Sequence, residues 1–166
     1  MSPSVPSPAI PWLFRLAAVL WMIWGLVHIL AGVVTLSLLN AGQTAEAFHG
    51  ILAAVDLASL QVDYPDGVGA LLGQHGLNLA WFGAVTLVSV PFVWRGIPAA
   101  VYLAALVGGL ADLGYFLFID LGGYALPPGP QMTYICATAI VTSLAGLAML
   151  RHSGAPRTLS GRPAVA

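Results

Sequence analysis

Gly73-Gln74-His75-Gly76-Leu77-Asn78-Leu79-Ala80-Trp81-Phe82 opens an apolar run that continues to Trp94. The run is long enough to cross a bilayer, which takes about 20 apolar residues. It nevertheless begins with Gln, His and Asn, side chains that are costly in hydrocarbon and seldom sit there without partners. Three further apolar runs flank this one. The reading of the fold turns on whether their polar residues meet those of the first at one depth.

Composition supports a chain solvated by lipid. It is 59% hydrophobic and 7% charged, against about 25% charged for an average soluble domain. So little charge does not cover a globular surface. The formal net charge is −1, with five Arg and no Lys, so nothing points to a nucleic-acid partner. The single cysteine, Cys136, lies in an apolar run and reads as an inert structural thiol.

Residues 1–11 read as a flexible tail rich in Ser and Pro. The spans are predicted at about 12–39, 68–94, 97–120 and 131–150, and residues 151–166 as a disordered cytoplasmic tail. The first run is too long for the apolar part of a signal peptide, about 7–15 residues. Between spans one and two, Thr44 is placed to cap an amphipathic helix over residues 44–60. Ile51, Leu52, Val55 and Ala58 share one of its faces. Pro91 is expected to bend or end the second span. The short Arg95-Gly96-Ile97-Pro98 link makes the third span an antiparallel neighbour of the second.

All five Arg (15, 95, 151, 157 and 162) fall at the amino end, in the 95–98 link or in the carboxyl tail. By the positive-inside tendency both termini face the cytoplasm, and the loop with Glu46, Asp56, Asp63 and Asp66 faces out. Trp12, Trp94 and Tyr102 then mark the inner interface, and Tyr64, Tyr124 and Tyr134 the outer one. The fold class is thus an all-α integral membrane protein of the cell membrane. It is a four-transmembrane-helix bundle with an extracytoplasmic amphipathic helix between spans one and two.

A helix rises about 1.5 Å per residue. Counting along each span brings His28, His75 with Asn78, Asp112 with Tyr115, and Tyr134 with Thr138 into the same outer half. Ala100, Ala104, Gly108 and Asp112 recur every fourth residue, so Asp112 continues a small-residue contact stripe of the kind that joins membrane helices. Gly25, His28, Gly32 and Thr35 share a face, as do His75, Asn78, Phe82 and Thr86, and Tyr134, Thr138, Thr142 and Gly146. These faces are expected to converge. Trp24, Trp81 and Phe82 lie deeper, as an aromatic floor. Glu46, His49 and Asp56 are candidates for a lid.

The leading expectation is a buried His/Asp site that binds a lipophilic small molecule, such as an isoprenoid or quinone, or acts on it by proton transfer. Asp112 would be the acid and His75 or His28 the base, with Asn78 and Tyr115 orienting a polar group. A carboxyl group at that depth must be protonated, paired with His, or wet. No cofactor is implied by this reading. A b-type haem or a metal ion held by His28 and His75 is the alternative, and a non-catalytic subunit or assembly partner a third. The bilayer and the lipophilic molecule are the expected partners, with homo-oligomerisation left open. Phosphate loops, dinucleotide fingerprints, nucleophile elbows and paired-cysteine motifs are absent.

Overall fold

The computed structural model describes residues 9–153. The two predicted tails therefore lie outside the described residues, apart from residues 9–11 and 151–153. The described residues are 83% helical, with no strand among them. The helices are α1 (Ala9–Asn40), α2 (Thr44–Ile51), α3 (Leu57–Leu60), α4 (Asp66–Trp94), α5 (Pro98–Tyr115) and α6 (Gly129–His152). A π-helical turn, Phe116–Asp120, extends α5. Four helices are long and apolar enough to cross a membrane: α1, α4, α5 with its extension, and α6. Their outer surfaces carry exposed Leu30, Leu71, Val88, Leu106, Leu110 and Val141. Each of the four helices is apolar on its outward side as well as its inward one.

α1 packs between α4 and α6, and α5 packs against the same two helices, so α1 and α5 oppose each other across the bundle. Glycine sets the closest contact. A Cβ at Gly25 would lie 2.9 Å from the Gly83 carbonyl oxygen, and one at Gly83 would lie 2.5 Å from that of Gly25. One heptad further on, a Cβ at Gly32 would strike the Gly76 carbonyl oxygen and come within 2.7 Å of the Ala80 nitrogen. Two glycine pairs seven residues apart on antiparallel helices thus let the α1 and α4 backbones touch.

Across the diagonal from α1 to α5 the spacing is wide, and tryptophan fills it. Trp21 and Trp24 are fully buried and meet edge to face at 5.9 Å. The small stripe of α5 receives them: a Cβ at Gly108 would sit 2.5 Å from the Trp21 ring. Ala100, Ala104, Gly108 and Asp112 are all buried on that stripe. The buried hydroxyls of Thr35, Thr86, Ser89 and Ser143 each donate to a carbonyl four residues back. They are satisfied inside their own helices.

One end of the bundle carries Arg15, Arg95 and Arg151. Gly96 turns the chain there with φ +69°, where a Cβ would run 2.8 Å into the Phe14 ring. Ile97 and Pro98 then start α5. Pro91 lies inside α4, which runs on to Trp94, so the helix does not end at the proline.

The opposite end is covered. α2 rests on α1 with Ala45 and Ala47 buried, and Phe48 stacks on Tyr64 at 5.2 Å. The single amphipathic helix expected over 44–60 is broken. α2 stops at Ile51, and Asp56 opens the separate α3 by accepting from the Ala58 N–H at 3.3 Å. A short side chain able to cap competes with helix continuation. Ala58 is consequently exposed rather than on a buried face. Thr44 does not cap either: it is the first residue of α2, and Gln43 precedes it without a side-chain bond. The Ala54 N–H donates to the Tyr124 carbonyl at 2.9 Å, tying the 52–56 segment to the loop before α6.

Two glycine variants test the α1–α4 contact. Gly32→Ala is expected to lower stability by about 1–3 kcal/mol through overpacking. Gly114→Ala, whose added methyl meets nothing within 4 Å, is expected to raise it by up to about 1 kcal/mol. Thermal unfolding in detergent reads both, and equal effects would contradict the close approach.

Candidate functional site

Beneath the cover lies a cavity of about 220 Å³. Side chains from all four long helices reach it. α1 supplies His28 and Thr35, α4 His75, α5 Asp112 and Tyr115, and α6 Met132. Ala47, Gly50 and Ile51 of α2 roof it, together with Leu126 and Pro127 from the loop before α6. The remaining wall is aliphatic, from Val27, Ala31, Val34, Leu38 and Leu79.

Its polar side is built on Trp24. The Trp24 indole N–H donates to Asp112 Oδ1 at 3.1 Å, across the bundle from α1 to α5. One turn along α1, the His28 ring stacks on Trp24 with centroids 3.6 Å apart and planes 23° apart. His28 Nδ1 lies 2.8 Å from the Trp24 carbonyl oxygen. A carbonyl only accepts, so Nδ1 carries the proton and Nε2 keeps its lone pair. Nε2 makes no hydrogen bond among the described residues.

Asp112 is 6% exposed, and its second oxygen, Oδ2, is buried with no hydrogen-bond partner among the described residues. An unpaired buried polar atom costs about 1–3 kcal/mol, so this one calls for an explanation. The buried thiol of Cys136 lies beside the carboxyl. Tyr115 leans on the start of α6, where a Cβ at Gly129 would collide with its hydroxyl. Glycine there makes room for the phenol.

Asp120 follows a different course. Its Oδ2 accepts from the Thr133 hydroxyl at 2.7 Å, while Oδ1 is buried without a partner among the described residues. The π turn widens the helix just before it, so Asp120 is carried round towards α6 instead of continuing the α-helical rotation. It braces α5 against α6 and does not line the cavity.

Several residues expected at the site stand elsewhere. Asn78 points away from the cavity: its Oδ1 accepts from the Trp81 indole N–H at 3.0 Å, and Trp81 is 44% exposed. Phe82 packs against the apolar core, and of the expected floor only Trp24 underlies the polar groups. Tyr134 is 72% exposed, and Thr138, also exposed, donates to the Tyr134 carbonyl at 2.7 Å. α6 turns a neighbouring face inward, with Cys136, Ala139, Ser143, Gly146 and Leu147 buried. Of the expected lid residues, Glu46 and His49 do not line the cavity, and exposed Asp56 serves as the α3 cap. The roof residues missed by sequence reasoning, Ala47, Gly50 and Ile51, are the small and apolar positions of α2 at helical spacing. On α6, Cys136, Ala139, Ser143 and Gly146 carry the small-residue signal that marks contact faces, and Met132 lies one turn before Cys136 on that side.

Among the described residues no group of three or more His, Cys, Asp or Glu side chains could hold a metal ion. His28 and His75 both line the cavity, but its volume argues against haem. A dry cavity of about 150 Å³ takes benzene, and about 220 Å³ does not take a macrocycle of four pyrroles. Geometry thus defines an all-helical arrangement of the described residues, its four long helices apolar enough to cross a membrane, with a partly closed, largely apolar pocket that carries a few polar groups near one end. Comparison of the chain with protein-family models, curated proteins and solved structures gives no match.

Trp24→Phe retains the stacked ring but removes the donor, leaving Asp112 with the weakly donating Cys136 thiol alone. It is expected to cost about 1–3 kcal/mol in detergent unfolding. In an Asp112→Leu background the same change should cost about 1 kcal/mol less. An unchanged cost there would show the two side chains to be energetically independent.

Proposed function

We propose that this is a multi-pass membrane protein whose covered cavity binds a small lipophilic molecule with an oxygen function at one end and moves a proton on it. The observation that carries this reading is Asp112 Oδ2, a buried oxygen at an apolar cavity with no conventional hydrogen-bond partner among the described residues, the weakly donating Cys136 thiol being the one other polar side chain against the carboxyl besides Trp24. A ligand oxygen would supply that partner. As the neutral acid, with Oδ1 already accepting from Trp24, Asp112 donates through Oδ2.

His28 lines the same cavity, and its neutral ring offers a lone pair at Nε2. The pocket thus combines one donor and one acceptor with an aliphatic wall, the usual composition of a small-molecule site. Asp112 delivers a proton to the bound molecule and His28 removes one, with Tyr115 and His75 orienting the oxygen. The net change is an isomerisation, which leaves the composition of the molecule unchanged; it leaves Asp112 ionised and His28 protonated, and return of the proton from His28 to Asp112 restores both before the next turnover. A cavity of about 220 Å³ admits a single ring or a short branched chain, given that about 150 Å³ holds benzene. An isoprenoid unit or the ring of a quinone meets that limit. A longer tail would leave between helices.

In this reading the end with Arg15, Arg95 and Arg151 lies at the cytoplasmic face of the cell membrane, both termini are cytoplasmic, and α2 and α3 cover the cavity on the outer side. The arginine distribution supports the orientation, and the four long apolar helices support insertion.

Two measurements test the proposal. Protein purified in mild detergent is expected to carry a lipophilic small molecule visible by mass spectrometry. Asp112→Asn preserves the acceptor for Trp24 and still offers an N–H to the ligand oxygen, so it should keep the molecule while losing the acid; Asp112→Leu loses that hydrogen bond and should retain about tenfold less of the molecule than the wild type. Equal retention by Asp112→Leu, or no specific molecule in the wild type, would defeat the assignment. For orientation, Asp63→Cys and Ser153→Cys are compared in a Cys136→Ser background. A membrane-impermeant maleimide should label the first in intact cells and the second only after permeabilisation.

A further inference from the structure

The arginine end holds a second feature, unconnected with the cavity. Arg15 is exposed, and its guanidinium carbon lies 5.7 Å from the ring centres of both Trp12 and Trp94. Both indoles are themselves well exposed, at 68% and 48%. Contacts of this kind occupy the face of a guanidinium and leave its N–H edge available. None of those donors makes a hydrogen bond among the described residues.

No carboxylate side chain is placed to neutralise this cation. The six acidic residues of the whole chain are Glu46, Asp56, Asp63, Asp66, Asp112 and Asp120, all in the covered half of the bundle or its cover. Among the described residues, two other cations belong to the same end: Arg95 follows Trp94, and Arg151 donates to the Tyr102 hydroxyl at 2.7 Å.

Below the guanidinium an open groove of about 870 Å³ runs along α1, lined by Leu16, Val19, Met149 and the two indoles. From Arg15 to Val19 is one helical turn, about 6 Å along the axis. The cation therefore sits beside an open apolar groove on the outer surface of the bundle.

We propose that this groove binds one anionic phospholipid, with its phosphate on the N–H edge of Arg15 and an acyl chain along Leu16, Val19 and Met149. The inference rests on the reading of the four long helices as membrane spans. Charge favours an anionic headgroup over a zwitterionic one. A choline or ethanolamine cation would meet Arg15 with no acidic side chain at hand, and the indole faces that attract such groups are already taken by the guanidinium.

The test uses full-length protein in neutral detergent, titrated with phosphatidylglycerol or phosphatidylcholine of the same acyl chains, with bound lipid counted by native mass spectrometry. One arginine near a lipid surface is worth about 1 kcal/mol, so the wild type should prefer the anionic lipid by about fivefold. Arg15→Gln should abolish that preference, and Arg95→Gln, at the same end but outside the groove, should keep it. Equal binding of the two lipids by the wild type would overturn the site. So would a preference that survives Arg15→Gln, or one lost equally in Arg95→Gln. Recovery of the protein in the soluble fraction without detergent would instead overturn the membrane reading and the lipid site with it.

Discussion

The hydrogen bond from Trp24 to Asp112 joins α1 and α5, two helices that stand diagonally opposite in this bundle. α1 and α5 face each other across the diagonal, too far apart for their backbones to meet, and only a long side chain with a polar tip bridges them. Three features depend on that bridge. It leaves the second Asp112 oxygen bordering the cavity, provides the ring on which His28 stacks, and holds the α5 stripe against the indoles. The glycine pairs of α1 and α4 are its counterpart on the adjacent side, because backbone contact there sets how far α1 stands from α5. The bundle is thus narrow along one contact and wide along one diagonal, and the cavity opens at the end of the wide direction.

The fold was largely legible because its signals are one-dimensional. Run length, charge content and the positions of glycine and proline are read directly along the chain, and each of the four predicted runs corresponds to a long apolar helix. The stripe Ala100, Ala104, Gly108 and Asp112 was equally readable, since small residues at every fourth position leave little choice of face. The amphipathic stretch was not. Whether residues 52–56 continue a helix depends on Asp56 finding a backbone N–H to cap and on Ala54 finding Tyr124, and the second is a contact between distant segments.

The site was legible in depth but not in direction. Counting residues along each helix grouped His28, His75, Asp112 and Tyr115 correctly at one level, and all four line the cavity. The same count grouped Asn78, Tyr134 and Thr138 with them, and those turn outward. Depth carries no information about rotation round the helix axis. A threonine that bonds to its own helix backbone, or an asparagine that bonds to a tryptophan one turn away, has already met its polar requirement and is free to face outward. On α6 the small residues, not the hydroxyls, identified the inward face. Polar residues without a local partner are therefore the informative ones, and Asp112 is the clearest case.

The cover over the cavity is fastened by its main chain. Ala54 and Tyr124 come from connections on opposite sides of the bundle, and the link between them uses an amide and a carbonyl that every residue but proline possesses. Side chains at that fastening are therefore free to vary while the latch stays shut. The shape of the lining contributed by α2, at Ala47, Gly50 and Ile51, is in this way separable from the polar groups on α1 and α5. Guest size and guest chemistry are governed by different stretches of the chain, so that either can be retuned without rebuilding the other.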